Sequence, residues 1–332
     1  MKFFLYTIFF ILSVFVIFYI ILFLISFKKN PVSYGISFNQ NHAESLGLDW
    51  KRVYEDMLQD LKPAYVRIAV MWSDVESKKG VYDFSTVDWM MKKAEEYNTD
   101  VTLVVGQKAP RWPECHVPSW VSTLSHDEYE TRLLDYVDRV VTRYKAHPAL
   151  ELWQVENEPF IRFVFGECEY YRKDLVDKEI QRVKKIDETR FVMVTDSGEL
   201  STWIDASHAG DIFGSTLYRV VRTKSGMRIF YDWVPAGWYR FHAWILGIPR
   251  ERFFIAEMQA EPWFDDNGPL ETDIAEQMKT MNIKRLQKHI KYVEHIGVDR
   301  NYLWGVEWWY WMKEFQNDSS FWDYIKKVLD RS

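Results

Sequence analysis

From residue 34 onward the chain alternates between two hydrophobic rhythms. Short, nearly unbroken apolar runs are each followed by a longer stretch with apolar residues three and four positions apart. The runs are YGISF (34–38), AYVRIAVMW (64–72), DVTLVVG (100–106), LELWQV (150–155), RFVMVTD (190–196), DIFGSTLY (211–218), RFFIAEM (252–258) and NYLWGVEWW (301–309). Apolar runs of this length without polar alternation read as strands covered on both faces, as in parallel sheets. The intervening stretches predict helices over 49–62, 83–97, 126–147, 170–187, 200–207, 236–247, 271–297 and 319–330. In the first of these, Trp50, Val53, Met57 and Leu61 share one face, and in the second Ser85 is the expected cap. Eight strand-then-helix units predict an α/β fold, a (β/α)8 TIM barrel. An open doubly wound sheet would place a Gly-rich phosphate turn after an early strand, and the chain has none.

Ahead of the barrel lies a different pattern. Residues 3–27 carry no charge, with Lys2 before them and Lys28 and Lys29 after. As a helix this segment is about 37 Å long, enough to cross a bilayer with some tilt. It lacks the short apolar core and small-x-small cleavage site of a secretory signal. The expected organisation is an uncleaved transmembrane anchor over 1–29 and one domain over 30–332. The flanking positive charges balance, so they do not decide orientation; the domain is expected on the extracytoplasmic side.

Polar residues interrupt the apolar runs at particular places. Arg67 sits inside the second, Asn157 and Glu158 follow the fourth, and Tyr218 ends the sixth. Glu257 lies in the seventh, and Glu307, Trp308 and Trp309 in the eighth. In such a barrel chemistry is carried at the C-terminal ends of the strands. Carboxylates on the fourth and seventh strands would face each other across the mouth, the arrangement glycoside hydrolysis needs. Glu261, four residues past Glu257, is the rival nucleophile, placed in the following loop. Glu156 is expected to point away. Alternation puts Trp309 with Glu307 on the site-facing side, with Trp308 one residue out of phase. Trp112 and Trp263 are further platforms for sugar rings, and His42 and His116 lie near the mouth without ligand spacing.

Composition narrows the choice further. A net charge of −6 argues against a nucleic-acid partner, while 16 Trp and 17% aromatic residues suit carbohydrate. The two cysteines, Cys115 and Cys168, have no zinc-ligand spacing, and neither metal nor cofactor is expected. They follow the third and fourth strands, so a disulfide bracing the rim of the mouth is expected.

The segments YVRIAVMWSDVE, GVYDFSTVDWMMKKAEEY, PRWP, WQVENEP, STLY, FFIAEMQAEPW and YLWGVEWWYW, spread over about 34–330, resemble a clan A glycoside hydrolase of the family 5 type. That resemblance implies a retaining β-glycosidase acting on a poly- or oligosaccharide. It implies Glu158 as acid/base, Glu257 as nucleophile and Asn157 as ligand of the sugar 2-hydroxyl. Arg67 and Tyr218 would support the nucleophile, and a strand-eight Trp, here Trp309, would floor the cleavage subsite. A transglycosidase remodelling surface glycans, or an inactive carbohydrate-binding barrel, are the alternatives.

Overall fold

The computed structural model describes residues 2–161, 168, 172–223, 226–264 and 268–331. Eight parallel strands close into a barrel. They are β1 (Ser33–Ser37), β2 (Tyr65–Ala69), β3 (Asp100–Val105), β4 (Leu150–Val155), β5 (Val192–Asp196), β6 (Ile212–Leu217), β7 (Phe253–Gln259) and β8 (Arg300–Trp304). Closure runs from Ser33 opposite Arg300 to Ser37 opposite Trp304. The longer helices are α1 (Lys2–Ile25), α2 (Ser85–Glu96), α3 (His126–Tyr144), α4 (Lys173–Ile186), α5 (Gly237–Ile245), α6 (Ile283–Ile296), α7 (Val306–Phe315) and α8 (Ser320–Leu329).

Strand alternation sorts the core into two layers. Leu152, Met193, Ile212, Phe254, Ala256 and Tyr302 fill the barrel interior, while Trp153, Val155, Phe253 and Ile255 pack outward under the helices. The floor of the interior is polar. Arg300 holds Glu151 through bonds of 2.6 and 2.8 Å and lies over the Tyr65 ring, and the Tyr302 and Thr102 hydroxyls meet at 2.7 Å. α3 starts in a capping box, with Ser125 and Glu128 each bonding the other's backbone N–H.

One irregularity in β7 positions the chemistry. Ser215 pairs with Ile255 but Thr216 with Glu257, and Asn301 pairs with Ile255 but Leu303 with Met258. The extra residue, a β-bulge at Ala256, reverses the alternation beyond it. Glu257 is thereby turned into the mouth instead of out under the helices.

Several expectations shift. The eighth strand ends at Trp304, not 309, because Gly305 (φ +134°) turns the chain into α7. A Cβ there would lie 2.6 Å from the Glu261 Cβ, so the turn needs glycine. Ser85 is the first residue of α2 and not its cap; its N–H is taken by the Asp83 carboxylate at 2.9 Å. The single helix expected over 271–297 is three pieces, Gly268–Glu271, Ile274–Thr280 and α6, the last opened by Asn282 accepting the Arg285 N–H. Between β6 and α5 a small antiparallel hairpin forms from Val220–Arg222 and Arg228–Phe230.

α1 is long and apolar enough to cross a membrane. Most of its length is exposed, and its C-terminal part packs against α5.

Candidate active site

The turn after β4 puts a carboxylate on either side of the sheet end. Glu156 and Glu158 both adopt positive φ (59° and 45°), a backbone that side-chain-bearing residues seldom take outside functional turns. Glu156 is fully buried and points away from the mouth, accepting the N–H groups of Gln107 (2.8 Å) and Lys108 (2.6 Å). Its approach leaves no space for a side chain at Gly106, where a Cβ would sit 2.5 Å from its oxygen. Glu158 points the other way, its N–H bonded to the Thr195 hydroxyl (2.9 Å) and its carboxyl accepting from Thr216 (3.1 Å).

Glu158 and Glu257 line the same cavity of about 480 Å³, open to solvent. Their surroundings differ. Burial pushes the Glu158 carboxyl well up, and the carboxylates of Glu114 and Glu257 push in the same direction. Glu257 instead receives Arg67 Nη1 at 2.9 Å and the Tyr218 hydroxyl at 2.8 Å. Arg67 is itself fixed, with Nε on Gln154 (2.7 Å) and Nη2 on Asn157 Oδ1 (2.9 Å). An arginine so enclosed by acceptors on β4 and β7 is ordered before any ligand arrives. Thus five of the six residues expected at the site (Arg67, Asn157, Glu158, Tyr218 and Glu257) fall in one connected cluster.

The sixth, Trp309, does not. It lies on α7, fully buried, its indole N–H bonded to the Ala260 carbonyl at 2.7 Å. Trp308 is equally buried and bonds Gln277 at 2.8 Å. The aromatic residue that ends β8 is Trp304, which borders a smaller hollow with Asn39, Arg67 and Pro110. Trp263 lines the main cavity edge-on to Tyr218 (5.3 Å), whereas Trp112 projects into solvent. The stretch 219–234 supplies Val221 and Tyr231 to one wall. His116 is held by backbone, its ring bonded to the Arg111 carbonyl at 3.1 Å.

The loop after β3 brings charged groups that the strand pattern does not reveal. Lys108 and Glu114 form a buried pair at 3.1 Å, with Glu114 on the cavity wall. Arg111 lies over the Trp304 ring (4.3 Å) and bridges Glu261 and Glu307, the latter at 3.0 Å. Glu307 also accepts the Asn39 N–H at 2.6 Å, and burial lifts its carboxyl to about 7. Their sequence signal is placement alone, charges in and beside PRWPEC in the loop after a barrel strand. His42, Glu261 and Glu307 converge closely enough to hold a cation. The Arg111 guanidinium already supplies that positive charge. Burial, and Arg111 after it, push the His42 imidazole well down. Cys115 and Cys168 are disulfide-bonded, Cα atoms 5.4 Å apart, tying this loop to the segment after β4.

Residues 89–227 match the family model described as glycosyl hydrolases family 2, TIM barrel domain. A β-galactosidase LacZ of Heyndrickxia coagulans is 30% identical over an alignment covering 40% of this chain and 22% of that one. The chain therefore spans about a fifth of that relative's length. Among solved structures, xylanase 10B from Thermotoga maritima superposes with a TM-score of 0.59 at 16% identity, covering 93% of this chain and 97% of that one. GH5_18 from Streptomyces cattleya gives 0.58 at 12% identity, with 83% and 71% covered. The β-galactosidase of Halorubrum lacusprofundi gives 0.55 at 16%, with 82% and 52% covered. At these identities the superpositions speak for the fold.

Proposed function

We propose that this chain is a retaining β-glycosidase of a poly- or oligosaccharide, held to a membrane by α1. The observation that carries the reading is the pair of unlike carboxyls in one cavity. Glu158 sits where burial and two carboxylates favour the protonated acid, and Glu257 where it accepts hydrogen bonds from a guanidinium and a phenol. Glu257 Oε attacks the anomeric carbon as Glu158 gives its proton to the departing glycosidic oxygen. Glu158, now a carboxylate, takes a proton from water, whose oxygen attacks the anomeric carbon and releases Glu257. Asn157, oriented by Arg67, offers its amide N–H to the sugar hydroxyl next to the reacting carbon. The family match and the β-galactosidase relative support glycosidase chemistry, and the disulfide suits a domain in an oxidising compartment.

Turnover of aryl β-glycosides, with the product anomer followed by NMR, tests the assignment. Glu257→Ala is expected to lower kcat/KM by roughly 10⁴-fold or more. Glu158→Gln should cost about 10²–10⁴-fold on poor leaving groups and far less on dinitrophenyl glycosides. Full activity of Glu257→Ala, or an inverted first product, refutes it.

A further inference from the structure

We infer that α5 is seated in the interfacial layer of the bilayer that α1 crosses, so that the barrel is docked on the membrane and not merely tethered to it. The two helices lie side by side and antiparallel. Near the C-terminal end of α1, Ser26 Oγ accepts the Gly237 N–H at 2.6 Å, and Leu22 rests on Gly237 so closely that a Cβ there would lie 1.9 Å from the Leu22 carbonyl. Further back along α1, Phe18 meets Phe241 edge-on at 5.0 Å, and Tyr19 donates to the Trp233 carbonyl at 2.7 Å. Glycine at a helix contact is the way membrane helices bring their backbones together.

Depth follows from this register. The apolar stretch Phe3–Ile25 has 23 residues, about 35 Å of helix against a hydrocarbon layer of about 30 Å. There is little length to spare, so the last two turns of α1 lie at the edge of that layer. α5 starts at their level and runs back toward the bilayer centre, so its C-terminal end is the deeper one. That end carries Trp244 and Ile245, 73% and 57% exposed, with Trp233 (66%) close to the start of the helix. The polar residues of α5 are turned to the protein. Arg240 bonds the His295 and Lys28 carbonyls, both at 2.6 Å, and His242 bonds the Thr202 carbonyl at 3.0 Å. Lys28 and Lys29 follow α1, at the level of lipid headgroups. Tryptophan beside a lysine pair is the composition of a membrane interface. The occupant of this face is therefore lipid acyl chain and headgroup, not a second copy of the chain.

The inference rests on α1 as the anchor, and the test separates the two. The full chain carrying Ile245→Cys, and separately Trp233→Cys or Val81→Cys, is labelled with the fluorophore NBD; Cys115 and Cys168, being disulfide-bonded, stay unlabelled. Each is reconstituted in vesicles of phosphatidylcholine and phosphatidylglycerol containing doxyl-labelled lipid. Val81 is exposed on the loop after β2 and serves as the water reference. At least twofold stronger quenching at 245 and 233 than at 81 is expected. Equal quenching at all three positions, with the chain still floating with the vesicles, overturns the seat and leaves the anchor standing. Cross-linking between two copies through Ile245→Cys, with the label shielded from doxyl lipid, overturns it as well.

Discussion

At the scale of single residues, the proposed acid depends on a carboxylate to which the proposed mechanism gives no step. Glu114 pushes the Glu158 carboxyl up, and Lys108, paired with Glu114, pulls it down. Glu114→Gln removes the first influence and leaves the second uncompensated, so Glu158 should lose its proton at lower pH. Activity falls once Glu158 is ionised; the alkaline limb of the kcat/KM profile should therefore move to lower pH. An unmoved limb would separate Glu114 from the acid. Arg67 is the opposite case, a buried cation whose worth is structural and chemical together. Arg67→Met leaves Glu257 without its ion-pair partner and should cost about 3–5 kcal/mol in denaturant unfolding. Arg67 stood out in the sequence because a charge inside an apolar strand has few bland explanations, whereas Glu158, an ordinary residue for a strand end, gained meaning only from its pairing with Glu257. Arg111 and Glu114 were not legible, since a charged loop residue is ordinary until the fold brings it to the mouth.

Among the elements, all eight barrel strands could be read from apolar runs, because strands covered on both faces must be apolar throughout. Their ends were harder. The run 301–309 stays apolar past the strand because α7 is buried as deeply as β8, so periodicity could not mark the change. Only Gly305 does so. This is why Trp309 was expected at the site and Trp304 was not. Gly305→Ala should cost about 1–3 kcal/mol for its backbone alone, and the crowding against Glu261 should loosen the Arg111 bridge. A thermal melt lowered by several degrees, with a weaker KM, is the expected result; a wild-type melt would show that the turn tolerates a side chain. The bulge at Ala256 was equally invisible, yet it aims Glu257. A run of four apolar or small residues, Phe253 to Ala256, carries no mark of an extra one.

For the whole molecule, the buried acids make folding a proton-binding process. Glu199 and Glu307 are lifted by burial to about 7, and Asp196 to about 6. Glu156 faces Glu179 of α4, whose oxygens meet no protein donor among the described residues; burial, and the Glu156 carboxylate after it, raise Glu179 well above its ordinary range. All these groups have folded pKa values above their unfolded ones. Between about pH 4.5 and 7 the unfolded chain gives up protons that the folded chain keeps, so stability should fall as pH rises through that window. Melting temperatures across it check the sign, and Glu179→Gln should flatten part of the slope. A second consequence concerns the short passage from α1 to β1, where Arg240 holds the Lys28 carbonyl and Asn30, and the Asn30 N–H bonds the Glu294 carbonyl at 2.9 Å. With no slack there, α1 leaves the barrel past the N-terminal ends of the strands, opposite the catalytic mouth. The enzyme so mounted has a fixed working distance. On the docking inferred above that distance is short, because Tyr239 in the first turn of α5 bonds Glu199, which lines the cavity. On the proposed function, an enzyme held so would work on sugars close to the surface that carries it.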